Sequence, residues 1–249
     1  MSSKKVIKLT AAQALIRFMI AQKVKINDEI KPLFPGVWAI FGHGNVAGIG
    51  EALFQHQKAL PTYRGQNEQS MAHAAIAYSK TLNRQQIMAC TSSAGPGSTN
   101  IVTAAALAHI NRIPLLLLPG DTFATRIPDP VLQQLEDNTD QTITTNDCFK
   151  PVSRFFDRIM RPEQLLTSLP QAIRVLTDPV DTGTVTIAFP QDVQTMSWNY
   201  PERFFEEKIH FLRRQHADEN QLKSAVQMIL KAKKPVIIAG GGIHYSLSL

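Results

Sequence analysis

Short apolar runs alternate with amphipathic stretches along most of the chain. Thr10 followed by Gln13 is a capping-box pattern, and Leu15, Phe18 and Met19 then fall at i, i+3 and i+4, which predicts a first helix. The run VWAIF, Val37 to Phe41, is continuously apolar and ends in glycine, as in a strand buried on both faces. VAGIGEALFQHQKAL reads as a helix with Ile49, Leu53 and Leu60 toward the core, followed by a short strand from Leu60 to Tyr63. YRGQNEQSMAHAAIAYSK, Tyr63 to Lys80, reads as a helix entered through a polar loop.

The alternation continues through QIMAC as a strand, a Ser/Gly-rich turn and the helix IVTAAALAHI. IPLLLL is a strand expected to stop at Pro119-Gly120, and the polar stretch Asp121 to Asp147 is expected to hold one short helix near Val131 to Leu135. KPVSRFF reads as a strand, Ser168 and Gln171 with Pro170 as a helix start, and GTVTIAF as a strand closed by Pro190. Strands alternating with helices predict an α/β domain, doubly wound, with a mainly parallel sheet and helices on both faces, over residues 1–193. Residues 194–218 are charged and aromatic without a clear period and read as a linker. Residues 219–249 offer one amphipathic helix and the strand KPVIIAGGG, which reads as the truncated start of a second α/β domain.

Composition narrows the function classes. The 249 residues are 44% hydrophobic and 18% charged with a net charge of +6, and the basic residues are scattered. No basic stripe with interleaved aromatics is visible, so nucleic acid is not an expected partner. The longest apolar run is too short to cross a bilayer, and MSSKKVIKLT lacks the apolar segment of a secretory leader. Cys90 and Cys148 fit no metal-binding spacing, so no metal ligand is assigned and a reducing, cytoplasmic setting is expected.

Three glycine-bearing turns carry candidate chemistry. Gly42, Gly44 and Ala47 match the G-x-G-x-x-A spacing of a dinucleotide turn, but the following strand lacks the acid that such a site needs for the ribose. CTSSAGPGSTN places hydroxyls and Gly95-Pro96-Gly97 before a helix, which suits either a bound ligand or a plain capped helix start. AGGGIH, Ala239 to His244, would suit a phosphate in an intact second domain, but in a truncated unit it reads as a structural turn. Glu68 is a single acid at the mouth of a helix rich in small apolar residues. It suits the helix dipole, or it is a desolvated carboxyl group with a raised pKa that serves a ligand.

Taken together, NEQSMAHAAIAYSK, TSSAGPGSTN, RIPLLLLPGDT and GTVTIAFPQDV resemble, in order, the N-terminal pyrimidine-binding domain of thiamine-diphosphate-dependent enzymes of the acetolactate synthase and pyruvate decarboxylase type. FPGVWAIFGHGNVAGIGEAL and PGDTFATRIPDPVLQQLED are most similar to members that hydrolyse a C–C bond of a cyclic 1,2-diketone in inositol catabolism. The resemblance implies thiamine diphosphate as cofactor, with Glu68 hydrogen-bonded to N1′ of its aminopyrimidine. It places Gly42, His43 and Gly44 beside the pyrimidine, and Ser93, Gly95, Pro96 and Gly97 along the same pocket. His43 is either a proton shuttle or a packing residue. The resemblance also implies Mg2+, held through Gly-Asp-Gly and Asn-Asn motifs of a C-terminal domain; neither motif occurs here, and Gly120-Asp121-Thr122 is the nearest string. It further implies a homo-oligomer, dimer or tetramer, in the full-length protein, and an isolated N-terminal portion without activity. A carboligase or decarboxylase of the same family, a dinucleotide-binding module and a non-catalytic α/β module remain alternatives.

Overall fold

The computed structural model describes residues 5–127, 131–135, 137, 139–214 and 216–247. The readings of Met1 to Lys4 and of Leu249 therefore fall outside the described residues. The chain opens with β1 (Val6–Thr10), α1 (Ala11–Ala21), β2 (Gln22–Ile26), β3 (Glu29–Pro32) and β4 (Val37–Ala39). Thr10 caps α1 as expected: its hydroxyl accepts from the Gln13 amide, and the Gln13 side chain accepts from the Thr10 amide. A π-turn at Val46–Gly50 runs into α2 (Glu51–Gln55), then β5 (Thr62–Arg64), α3 (Glu68–Thr81) and β6 (Ala89–Ser92). After them come α4 (Pro96–Thr99), α5 (Val102–Ile110), β7 (Leu115–Asp121), a 3-10 helix at Thr145–Val152 and β8 (Phe155–Arg158). The remainder holds α6 (Leu165–Leu176), β9 (Thr184–Pro190), α7 (Gln191–Thr195), β10 (Ser197–Pro201), β11 (Lys208–His210), α8 (Glu219–Lys231) and α9 (Gly241–Ser246).

The central sheet has six strands in the order β5-β4-β6-β7-β9-β8, all parallel. The strand LLLL explains how it is covered. Leu116 and Leu118 face a core shared with α1, α2 and α6, while Leu115 and Leu117 face a second core with α3 and α5. Period-two alternation thus sends every second leucine to the opposite layer, as a parallel sheet buried on both faces requires. The doubly wound α/β architecture expected from the alternation is the one observed.

The order also creates a switch point. After β4 the chain leaves toward the α2 face and pairs β5 at one edge; after β6 it leaves toward the α5 face and pairs β7 on the other side. The C-terminal ends of neighbours β4 and β6 therefore open onto a crevice, the usual ligand position in an open α/β sheet.

Several local expectations are corrected. β7 does not stop at Pro119; its pairing with β9 resumes at Gly120 opposite Phe189, and the proline without its N–H falls in a gap of that ladder. No helix forms at Val131 to Leu135, which is a turn packed on the site; the helical segment is the 3-10 stretch at Thr145–Val152 instead. That stretch consumes the start of KPVSRFF, so β8 begins only at Phe155. α6 starts before Ser168, behind Pro162, and Ser168 instead donates to the Asp157 carboxylate. The helix read over VAGIGEALFQHQKAL ends at Gln55, yet Ile49, Leu53 and Leu60 are all buried.

Within the stretch expected as a linker, β10 and β11 lie against the domain. β10 pairs antiparallel with β1, β11 pairs parallel with β2, and Tyr200 is fully buried with its hydroxyl donating to the Pro162 carbonyl. Phe204 stacks on Phe18 of α1 with ring centroids 4.7 Å apart. By contrast, KPVIIAGGG is not a strand. Val236, Ile237 and Ile238 are exposed and no neighbouring strand is available to them among the described residues. An isolated strand has no ladder to join, so its apolar pattern alone does not form one.

His210 closes β11 on β2, its ring nitrogen 2.9 Å from the Gln22 side-chain oxygen. The Gln22 amide nitrogen is committed to the Phe18 carbonyl, so His210 Nε2 carries the proton and donates. Burial, with the Lys208 charge behind it, holds the His210 imidazole down to about 4. The unfolded chain takes up that proton near 6.5. Stability is therefore expected to fall as pH drops from about 6.5 to about 4, by about 1–2 kcal/mol after allowance for solvent screening. Denaturant titrations of the chain and of His210→Gln across this range check it; the variant should show the shallower slope.

Candidate functional site

Asn45 and Gln194 shape the turn after β4. Both side chains are fully buried. Asn45 accepts from the Gly42 amide at 2.9 Å and donates to the Ile40 carbonyl at 2.9 Å and toward Thr91 Oγ1 at 3.3 Å. Gln194, arriving from α7, donates to the carbonyls of Gly44 and Phe189 and accepts from the Ile49 amide at 3.0 Å. Two buried amides with every group paired hold the Gly42-His43-Gly44 turn in one shape. The turn is stitched to the one after β6: the Ala94 amide donates to the His43 carbonyl at 2.9 Å.

The Ser93–Gly97 turn is folded by its glycines. Gly95 adopts φ +62°, and a Cβ there would overlap the Gln133 carbonyl oxygen. Only glycine allows this turn to pass beneath the Val131–Leu135 segment. Pro96 takes the first position of α4. At Gly97 a Cβ would overlap the Ser93 hydroxyl and sit 3.2 Å from Glu68 Oε1. The missing side chain keeps open the space in front of that carboxylate oxygen.

Glu68 is the first residue of α3, behind the cap formed by Asn67, whose side chain accepts from the Ser70 amide at 3.0 Å. It is half-buried at the N-terminal end of α3, where the dipole favours an anion. Its Oε2 accepts a 2.8 Å hydrogen bond from Asn100. Oε1 has no protein donor among the described residues. Met71, Ala72 and Ala75 are buried behind it, so the small residues of α3 pack closely against β6. Cys90, on β6, is fully buried; burial first, and the Glu68 charge second, push its thiol well above the ordinary range. It is a core residue, as its apolar run suggested.

The residues singled out in the sequence thus converge at the ends of β4 and β6. Gly42 lies against Ser93, Gly44 against Ala94, and Gly97 against Ser93 and Glu68. The Ala239–His244 glycines do not join them; a Cβ at Gly240 or Gly242 would meet nothing within 4 Å. What the sequence reading missed are the amides that hold the site: Asn45, Asn100, Gln194 and Gln134. Asn100 was legible only as a helix-capping residue in GPGSTN, and its reach back to Glu68 is a tertiary fact.

One layer below, Arg158 bridges two acids. Its Nε donates to Asp121 at 2.8 Å and its Nη2 to Asp147 and to Thr144 Oγ1, both at 2.7 Å. Asn146 donates to the Gly120 carbonyl at 2.8 Å, which pins the end of β7 under the site. Asp121 is thus engaged by an arginine. Among the described residues no group of three His, Cys, Asp or Glu side chains is placed to hold a metal ion. Nor is any helix among them long and apolar enough to cross a membrane.

Residues 36–142 match the family described as thiamine pyrophosphate enzyme, N-terminal TPP binding domain. The chain is 52% identical over 240 residues to the 3D-(3,5/4)-trihydroxycyclohexane-1,2-dione hydrolase 1 of Bacillus cereus strain ZK / E33L, which covers 96% of this chain and 37% of that protein. The same identity and coverage hold for the 3D-(3,5/4)-trihydroxycyclohexane-1,2-dione hydrolases of Bacillus anthracis and of Bacillus thuringiensis strain Al Hakam. The chain therefore spans a little over a third of the length of these relatives. Both glycine turns and Glu68 lie inside the span that is similar to the N-terminal TPP binding domain of the thiamine pyrophosphate enzymes.

Proposed function

We propose that this chain supplies the cofactor-activating half of a thiamine-diphosphate-dependent hydrolase that opens a cyclic 1,2-diketone by cleaving the bond between its carbonyls. The observation that carries the reading is the Glu68 carboxylate: one oxygen is tied to Asn100, the other is free and faces the gap left by Gly97. That donor set fits an aminopyrimidine, whose ring nitrogen needs one carboxyl partner and whose flat face needs a cradle without side chains. Gly42, His43 and Gly44 on one side, and Ser93, Gly95, Pro96 and Gly97 on the other, would form the cradle.

When bound, thiamine diphosphate supplies the nucleophilic carbon and the electron sink for C–C cleavage. With it bound, Glu68 would share a proton with the pyrimidine ring nitrogen, while Asn100 holds the carboxylate in position and the alanines of α3 limit water behind it. In a site with little water such a hydrogen bond is strengthened. The names of the relatives support a cyclic 1,2-diketone as the substrate. Mg2+, a diphosphate anchor in a C-terminal domain and a homo-oligomer are what the family resemblance implies.

Two expectations test the reading. Joining this chain to the remainder of the Bacillus cereus relative gives a chimera in which Glu68→Gln should lower kcat by about 10²-fold or more. Asn100→Ala should lower it by about 10-fold, since it frees but does not remove the acid. Unchanged turnover in Glu68→Gln would falsify the assignment. The 249-residue chain alone should show no turnover of the diketone and no micromolar, Mg2+-dependent heat of thiamine diphosphate binding in calorimetry. Micromolar binding there would place the diphosphate anchor within this chain and contradict the division of the site.

A further inference from the structure

Among the described residues, the side chain of His43 meets one polar partner. Gln134, nine-tenths buried in the Val131–Leu135 segment, places its amide nitrogen 3.3 Å from His43 Nε2. The other end of the same amide is fixed independently: the backbone N–H of Phe123 donates to Gln134 Oε1 at 3.1 Å. A backbone N–H is always a donor, so the amide cannot be turned round without setting NH2 against N–H. The group facing His43 is therefore NH2, which has hydrogens to give and no lone pair to accept. His43 Nε2 must be the acceptor, and the neutral ring must carry its proton on Nδ1.

The backbone around the ring holds it in this pose. The His43 amide donates to Gln133 Oε1 at 3.3 Å, its carbonyl accepts from Ala94, and the Phe123 ring lies edge-on with centroids 6.2 Å apart. Nδ1 has no hydrogen-bond partner among the described residues, and the ring is only half-buried. We infer that Gln134 is a positioning residue that sets His43 as a neutral hydrogen-bond donor through Nδ1–H, suited to a carbonyl or hydroxyl oxygen of the substrate. Of the two roles open to His43 from the sequence, proton shuttle or packing residue, the shuttle lacks the free lone pair it would need to take up a proton, because Gln134 occupies it. The tautomer stands on geometry alone; its use toward a substrate rests on the function proposed above.

The test separates the two. Long-range proton–nitrogen correlation spectra of the 15N-histidine-labelled chain, recorded at alkaline pH, report which nitrogen is protonated. His43→Phe identifies the resonance. The native chain should show Nδ1–H. Gln134→Glu, whose carboxylate accepts, should switch the ring to Nε2–H, and Gln134→Met should release it to the Nε2–H form that free histidine prefers. Nε2–H in the native chain, or Nδ1–H retained in Gln134→Glu, overturns the proposal, and the native spectrum alone decides it if the variants do not fold. In the chimera, His43→Phe should raise KM for the diketone by about 3- to 10-fold, the worth of one neutral hydrogen bond. An unchanged KM beside a confirmed Nδ1–H overturns the donor role and leaves the tautomer standing.

Discussion

A carboxylate with one oxygen satisfied and the other free is the constraint around which this structure is arranged. Glu68 owes that state to three neighbours: Asn100, which binds Oε2; Gly97, which has no side chain to fill the space before Oε1; and the alanines of α3, which pack the helix against β6. A polar group left half-paired at a partly buried position costs free energy unless something completes it. A ligand hydrogen-bond donor completes it, which is the physical content of the cofactor assignment.

The same site shows why the fold is built around buried amides. Asn45, Gln194 and Gln134 each tie segments far apart in the chain, and each has its donor and acceptor ends separately engaged. An amide gives at one end and accepts at the other, so two separate partners fix its orientation. Asn45 and Gln194 bind the turn after β4, and Gln134 meets its histidine, so these amides define its shape. The switch-point crevice gives the place; the amides give the geometry.

How much of this was legible in the sequence depends on the range of the interactions. The apolar runs VWAIF, LLLL and TVTIAF marked the strands because a parallel strand buried on both faces leaves an unbroken apolar string. Thr10 with Gln13 marked a helix start because its bonds are three residues apart. Pro119 misled because whether a proline ends a strand depends on the partner's ladder, not on the strand itself. KPVIIAGGG misled for the opposite reason: its pattern was right for a strand, but pairing needs a neighbour. At the site, Glu68 and the glycines stood out by contrast with their surroundings. Asn100, Gln134 and Gln194 did not, because polar residues in polar stretches signal nothing until the fold brings their partners within reach.

The central claim concerns one atom, Glu68 Oε1. A crystal structure of the chimera with thiamine diphosphate and Mg2+ tests it most directly. The account predicts the pyrimidine ring nitrogen within hydrogen-bond distance of Oε1, about 2.6–3.2 Å, with Asn100 still on Oε2. A pyrimidine bound elsewhere, or a Glu68 carboxylate turned away from the ring, would contradict it.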